Sequence, residues 1–280
     1  MACYQYWKWI LGLSVVLLIP SAGYGEITIS PKSVFAGAAK RMVPVYISNP
    51  GEAESEVWAE IKYGYVRSDD SGRANIFIDS ASTDETSAEA WVKAYPQHFI
   101  LPPGKVQTIR IVSYPPPNLR DGEYWARIVV YAKPRNPLKK VTKDFTPRKS
   151  RVGLVQALSI PYYYRQGKVT TGLESSSLNV TSSPKEAVCT FTLTRIGNAA
   201  FNGMMTIRLV NSQGKLVSSK SEVQVVFKSY FVREVLDRTT ISPGKYTLEV
   251  EIEGGKRRDI DKKELLNTPP LRLSSPVELK

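Results

Sequence analysis

Few side chains in this sequence could carry acid–base, nucleophilic or metal chemistry. The 280 residues include one histidine, His98, whereas most schemes of general-base catalysis, catalytic triads and zinc binding use histidine together with further partners. The acidic residues Asp69 and Asp70, and likewise Asp259 and Asp261, offer fewer oxygens than a calcium ion requires, so solvated turns are the simpler interpretation. We therefore expect no enzyme, no cofactor and no metal centre.

Cysteine chemistry is equally limited. Cys3 lies in an N-terminal segment that we expect to be removed, and Cys189 lies in the strand-like run Ala-Val-Cys-Thr-Phe-Thr-Leu. A single remaining cysteine cannot form an intramolecular disulfide. A thiol in a strand of this pattern is expected to be a buried structural group, so packing alone must stabilise the fold.

The first 25 residues have the pattern of a secretory signal peptide. Lys8 precedes the apolar run Trp9–Ile19, which ends at a proline and small residues. The run is shorter than the roughly 20 residues needed to cross a bilayer. We expect cleavage after Gly25, or after Ala22, with an uncleaved anchor as the alternative, and an exported protein without stable membrane insertion.

The chain is basic, with a net charge of +12. A positive surface attracts acidic proteins, anionic lipids or nucleic acid, and nucleic acid is the least expected of these for an exported protein. The lysines and arginines are spread along the chain except in two runs, 133–151 and 256–258. Neither run is interleaved with the aromatic residues that stack on bases, so we expect no nucleic-acid partner.

Turn signals and apolar alternation predict an all-β chain with two immunoglobulin-like β-sandwich domains. Pro102-Pro103-Gly104 forces a turn between two strands. The first domain, 26–165, has seven such strands separated by turn residues, which is typical of this sandwich. The strands are predicted at 27–30, 42–48, 56–65, 90–95, 106–112, 124–132 and 152–164.

The second domain, 166–268, is predicted to be a looser sandwich. Its strands are predicted at 173–180, 188–196, 204–210, 223–231 and 246–252. Residues 269–280 contain three prolines and show no pattern, so we expect an unordered tail. Residues 133–151 join the last two strands of the first domain, and a connection of this length is typical of a functional loop. We expect a mobile, charged flap there.

The last strand of the first domain is the candidate binding edge. Its alternation places large side chains on one face and mostly small ones on the other. The residues of the large face are Val152, Leu154, Gln156, Leu158 and Ile160. Such a strand at a sheet edge could extend the sheet of a partner or pair with a second copy of this chain. An ordinary core strand would show the same periodicity.

The residues around the Pro-Pro-Gly turn resemble a known family. The pattern Phe99-x-Leu-x-x-Gly-x-x-Gln-x-x-Arg-Ile, with Asn49 at a strand end, Trp58 in the next strand and Glu123 further on, is similar to the first domain of the PapD-like periplasmic chaperones of chaperone-usher pili. The resemblance implies two domains in a boomerang arrangement and a periplasmic location. It also implies a function, which is to cap pilus or fimbrial subunits by donor-strand complementation and deliver them to an outer-membrane usher.

The resemblance implies a carboxylate anchor as well. Lys32 stands where the family places its first-strand basic residue, which binds the terminal carboxylate of the subunit. The second anchor of the family is a lysine, and that position is Pro161 in this chain. Lys168, a lysine of the 133–151 flap, or the absence of a clamp are the alternatives. The subunit-binding residues implied are Lys32 and the large face of the edge strand.

Glu123 and Arg165 match positions that the family uses for a buried charge network steadying the two domains. Gln156 interrupts the apolar face of the donor strand, which indicates a divergent or archaic-type member. The missing lysine and Gln156 also favour an alternative, a cell-envelope protein of the same fold with a structural or adhesive role and no strand donation. A third class, a carbohydrate-binding or carbohydrate-active sandwich, is based on three tryptophans: Trp58, Trp91 and Trp125.

Overall fold

The computed structural model describes residues 27–79, 84–135 and 155–279. Within these ranges the chain is all-β, its strands form two immunoglobulin-like sandwiches, and this predicted fold class is confirmed. No helix in these ranges is long and apolar enough to cross a membrane.

The strands of the first domain are β1 (Thr28–Ser30), β2 (Val34–Gly37), β3 (Met42–Ser48), β4 (Ser55–Lys62), β5 (Gly64–Ser68), β6 (Ala74–Ile78), β7 (Val92–Tyr95), β8 (His98–Leu101), β9 (Val106–Ser113), β10 (Gly122–Pro134) and β11 (Gln156–Gln166). Those of the second are β12 (Thr171–Ser175), β13 (Asn179–Ser182), β14 (Glu186–Gly197), β15 (Phe201–Asn211), β16 (Leu216–Val226), β17 (Ser229–Asp237), β18 (Gly244–Gly254) and β19 (Leu271–Leu279).

Two sheets face each other in the first domain. One has the strand order β1-β3-β9-β7 and the other β2-β11-β10-β4-β8. The alternation of side chains along each strand produces the core: Val45 and Ile47 of β3 are buried, whereas Met42 and Tyr46 are exposed. β10 is buried along most of its length because it pairs with β11 on one side and β4 on the other. Its continuous apolar run predicts this central position.

The predicted Pro-Pro-Gly turn lies between β8 and β9. Gly104 has a φ of 67°, a conformation that favours glycine, and its N–H donates to the carbonyl of Asn49 at 2.7 Å. The sequence patterns do not predict β8. His98 begins β8, and its Nε2 lies 3.0 Å from Oε1 of Glu56 on the neighbouring strand.

The strand predicted at 56–65 is two strands, because the chain leaves the main sheet after β4. β5 pairs only with β6, and the two form a separate hairpin. Gly64 allows this close pairing, since a Cβ there would lie 2.4 Å from the carbonyl oxygen of Phe77. Tyr63, between β4 and β5, is buried among residues of both domains. We call residues 64–78 the β5–β6 hairpin.

In the second domain, β14 pairs with β12, β13 and β17, and the other sheet has the order β16-β15-β18-β19. The strand predicted at 223–231 is wrong, because β16 ends at Val226 and β17 begins at Ser229. Phe227 lies in the connection and is buried between the domains. The apolar run therefore continues through a turn that has neither glycine nor proline to mark it.

The prediction of an unordered tail at 269–280 is also wrong for its described part. Leu271–Leu279 forms β19, which pairs antiparallel with β18 and places Val277 and Leu279 in the core. Pro276 is tolerated because β19 is the edge strand of its sheet. The second sandwich therefore extends to residue 279 rather than ending at 268.

A third apolar cluster joins the two domains. Trp125 is fully buried, and its ring centroid lies 5.0 Å from that of Phe227 in the second domain. Edge-to-face contact at this distance is a favourable aromatic geometry. The other buried members, from both domains, are Phe35, Tyr63, Tyr163, Ala200, Ile260 and Leu265.

Candidate functional site

The predicted binding strand has one unpaired edge. β11 pairs with β10 along its whole length, whereas β2 pairs with it only over Tyr162–Arg165. Among the described residues, no strand pairs with the second side of residues 156–161. We call this segment the free edge. Its N–H and C=O groups are positioned to accept a further strand, as happens when a peptide is added to a sheet.

The side chains of the predicted large face do not point to a partner where the structure describes them. Ile160 is buried in the first-domain core, and Leu158 packs against that core. In this state they are therefore not available to a subunit, and their position is that of an ordinary core strand. The reason is the period of two, which places them on the same side as the fully buried Tyr162 and Tyr164. Val152 and Leu154 lie outside the described residues, as does most of the predicted flap.

Gln156 has a role that its place in the apolar pattern does not reveal. The backbone N–H of Ile27 donates to Oε1 of Gln156 at 2.8 Å, and Nε2 of Gln156 donates to the Ile27 carbonyl at 3.2 Å. The side-chain amide thus acts as a peptide group would in a ladder. It holds the start of the described chain beside the first residue of β11.

A cleft of about 350 Å³ lies between the two domains, next to the free edge. Lys32 and Pro161 both line it, as the resemblance implies for the anchor positions. Arg127 of β10 also lines the cleft, and it is the direct cross-strand neighbour of Pro161. Arg257 of the second domain lines the cleft too, but a two-contact ion pair with Asp259 occupies it.

Arg127 is a buried cation that has no acidic partner among the described residues. It is 3% exposed; its Nε donates to Oγ of Ser159 at 2.6 Å and its Nη2 to the Ser159 carbonyl at 3.0 Å. Burial lowers the pKa of the guanidinium, although arginine stays charged in proteins. Within the described ranges no carboxylate lies within 4.0 Å of Arg127 or Lys32.

Arg127 is the residue that sequence reasoning missed. The proposed substitutes for the missing lysine are Lys168 and a lysine of the flap. Lys168 lies in the connection between β11 and β12, which we call the domain hinge, and its N–H donates to Asp121. The available signal was a single arginine within the otherwise apolar run of β10. A charged side chain buried in a central strand costs folding free energy unless it is paired or hydrogen-bonded. The register of β10 against β11 places the cation of Arg127 beside Pro161.

The structure brings Glu123 and Arg165 together. Their Oε2 and Nε atoms lie 2.8 Å apart, and Glu123 is 1% exposed. Its Oε1 accepts from Nε1 of Trp125 at 2.9 Å and from the N–H of Ala200 in the second domain at 3.0 Å. Arg165 also donates to the Glu264 carbonyl at 2.8 Å. The pair therefore lies at the domain hinge and binds both domains.

The other residues with potential chemistry have structural roles. Asp69 accepts hydrogen bonds from Ser71 and Arg73, which lower the pKa of Asp69 to about 2. Asp261 accepts from the N–H of Lys263 and begins a short helical turn. Burial raises the pKa of Cys189 to about 11. No cluster of three metal-ligating side chains occurs in the described part of the chain.

The three tryptophans do not form one sugar-binding surface. Trp125 is in the interdomain core. Trp91 packs edge-on against Tyr164 at 5.0 Å, beneath the first-domain core. Trp58 stacks on Tyr131 at 5.4 Å, on the face of β4 that points away from the first-domain core. A carbohydrate platform needs aromatic faces that are exposed together, and this arrangement does not provide one.

No family model and no curated protein matches the chain. Among solved structures it is similar to the YadV chaperone (14% identity, TM-score 0.46, covering 88% of this chain and 99% of that chain). It is also similar to the Pseudomonas aeruginosa CupB2 chaperone (13%, 0.45, 90% and 100%). A third is the CsuC–CsuE chaperone–tip adhesion subunit pre-assembly complex from archaic chaperone-usher Csu pili of Acinetobacter baumannii (14%, 0.43, 76% and 92%). Each of these structures is, or contains, a chaperone, the class of protein that the sequence motifs resemble.

Proposed function

We propose that this protein is a periplasmic chaperone that caps pilus or fimbrial subunits by donating the free edge of β11. The observation that carries the proposal is the position of this unpaired edge beside a buried guanidinium that has no acidic partner within residues 27–79, 84–135 and 155–279. The proposal assigns binding, and no catalysis, to these residues. It includes export by removal of residues 1–25 and delivery of the subunit to an outer-membrane usher.

The free edge supports strand donation because its main-chain groups can complete the sheet of a partner. Residues 156–161 expose a ladder of about six residues, which is the usual length of a strand. Main-chain hydrogen bonds would supply affinity, and side chains at alternate positions would supply specificity. Leu158 and Ile160 pack inward in the described state, so specificity toward the subunit would come from the small outward face and from residues before 156.

The cleft supports an anchor for the terminal carboxylate of the subunit. Arg127 has five N–H donors, of which two are used by Ser159. The others, with the ammonium of Lys32, can bind a carboxylate through charge-assisted hydrogen bonds. A desolvated guanidinium gains more from such a partner than an exposed one does, because water screens it less. In this proposal Arg127 does what Pro161 cannot, since proline has neither charge nor N–H.

Co-expression with a candidate pilin tests the proposal. We expect the pilin to be soluble and protease-resistant only when this protein is present. A synthetic peptide of the pilin C-terminus should bind at least about tenfold more tightly as the free acid than as the amide. Arg127→Met should abolish that preference, and Arg110→Met, on the exposed outer face of β9, should keep it. A pilin that is equally soluble and resistant alone would refute the chaperone function.

The hydrogen bonds of Gln156 favour a second function. Its amide holds Ile27 at the first residue of β11, so one end of the edge is already occupied. This favours an envelope protein that binds its partner without strand donation. A photo-crosslinking residue at the exposed Ala157 distinguishes the two. Strand donation predicts a crosslink from 157 to the pilin, self-association predicts one to a second copy, and the alternative predicts neither.

A further inference from the structure

The β5–β6 hairpin belongs to the first domain by sequence but contacts the second. It lies outside both sheets of its own sandwich. The N–H of Phe231 in β17 donates to Oγ of Ser68 at 2.6 Å. The sandwich fold alone does not predict this hydrogen bond between the domains, because the segments that connect core strands normally lie on the protein surface.

The tip of the hairpin is in direct contact with β17. Gly72 has a φ of 79°, and a Cβ at this position would lie 2.6 Å from Cβ of Arg233 and 2.8 Å from its backbone nitrogen. Only glycine fits both the left-handed conformation and the close approach. Burial raises the pKa of the Tyr230 phenol in β17, and the negative charges of two nearby glutamates and of Asp69, in the same turn as Gly72, raise it further.

An ion pair and an aromatic contact join the domains close to the base of the hairpin. Lys228, in the connection between β16 and β17, pairs with Asp84 of the first domain. The Lys228 ammonium lies 5.3 Å from the ring centroid of Tyr65 in β5, and the Tyr65 ring lies 5.7 Å from that of Phe227. Cation–aromatic contacts at this distance are attractive.

These contacts share no residue with the hinge network of Glu123 and Arg165. The two domains are thus attached at the hinge, where the chain passes from one to the other, and again through the hairpin. The hairpin is also part of the wall of the interdomain cleft, because Val66 and Ala74 line it together with Val223 and Val225 of β16. A movement of the hairpin relative to β17 would change the width of the cleft.

We propose that the β5–β6 hairpin is an interdomain brace that fixes the angle between the domains and hence the width of the cleft containing Lys32 and Arg127. Ser68 and Lys228 are its positioning residues. Without the brace, the hinge network and the apolar cluster around Trp125 would be the remaining attachments, and domains joined by a modest interface move relative to each other by default. That this width suits a subunit rests on the proposed function; the brace itself does not.

Distance measurements between spin labels test the brace without any partner. Cysteines replace Lys93 in β7 and Lys245 in β18, both exposed and one in each domain, in a Cys3→Ser background. Cys189 is buried and stays an unreactive thiol. We expect one narrow distance distribution for this parent and a distribution at least about twofold broader for Ser68→Ala combined with Lys228→Met.

Matched variants separate bracing from folding. Ser68→Thr with Lys228→Arg keeps the hydroxyl and the cation and should restore the narrow distribution. Ile76→Thr, on the exposed strand of the same hairpin, should leave it narrow. Lys228→Met alone lies outside the hairpin and should broaden the distribution even if Ser68→Ala disturbs the hairpin fold. A parent-like width in both the double variant and Lys228→Met would overturn the proposal, whatever the outcome of the pilin experiment.

Discussion

At the scale of single residues, Arg127 combines a cost to stability with a use in binding. A buried cation held by a hydroxyl and a carbonyl of Ser159 loses hydration that these two groups replace only in part. We predict that Arg127→Met unfolds in urea with a free energy equal to that of the parent or higher by about 1 kcal/mol, because an apolar side chain of similar length removes the desolvation penalty. The exposed Arg110→Met should change it by less than about 0.5 kcal/mol. A loss of several kcal/mol for Arg127→Met would show that Arg127 is a structural residue instead.

Asp84 makes the brace sensitive to acid. Burial acts to raise the pKa of Asp84, but the hydrogen bonds from Lys228 and Thr86 outweigh it and lower the pKa from 3.8 to about 2. A carboxyl whose pKa is lower in the folded state contributes above its unfolded value, and the contribution is lost as the pH falls through the folded value. We predict that the spin-label distribution stays narrow above about pH 4 and broadens between about pH 4 and pH 2. Asp84→Asn should be broad at every pH; an identical pH response in Asp84→Asn would assign the effect to another group.

At the scale of elements, the sequence patterns predict the strands that alternate regularly and miss those that depend on the second domain or on an edge. β3 and β10 are predicted within two residues of their ends because one is half-buried and the other central. The break between β16 and β17 is missed because Phe227 is apolar for a reason outside its own sandwich. The hinge pair of Glu123 and Arg165 can be placed by resemblance, whereas Arg127 emerges only from the register of β10 against β11.

β19 is an element whose importance the prolines around it conceal. Leu279 is 1% exposed in the second-domain core, although it lies at the end of the described chain. We predict that Leu279→Ala lowers the free energy of unfolding by about 2–5 kcal/mol, the usual cost of truncating a buried leucine. Its neighbour Glu278 is exposed, so Glu278→Ala should cost less than about 0.5 kcal/mol. Equal effects of the two substitutions in denaturant unfolding would mean that the strand frays.

At the scale of the whole molecule, the hinge and the brace have different chemistry. The hinge is a polar network in which Trp125, Arg165 and Ala200 all donate to Glu123; the brace is a set of contacts from a hairpin and one connection. Gly167 adds a tight backbone path at the hinge, with a φ of 56° and the carboxylate of Asp121 directly against it. Between these attachments lies the aromatic cluster around Trp125 and Phe227. Two sandwiches joined in this way should unfold as one unit.

Glu123 is the residue on which that coupling depends most. Its carboxylate accepts hydrogen bonds from Trp125, Arg165 and Ala200, so Glu123→Ala removes the acceptor of two buried N–H groups and of the partly buried Nε of Arg165. Removing one partner of a buried pair costs about 3–5 kcal/mol. We predict that the parent gives one calorimetric transition and that Glu123→Ala gives two, because the first domain loses stability while the second keeps its own core. Glu56→Ala, which removes a half-buried carboxylate that contacts His98 on the neighbouring strand, is the control and should retain a single transition. Two transitions in the parent would mean that the domains fold independently and that neither attachment couples them.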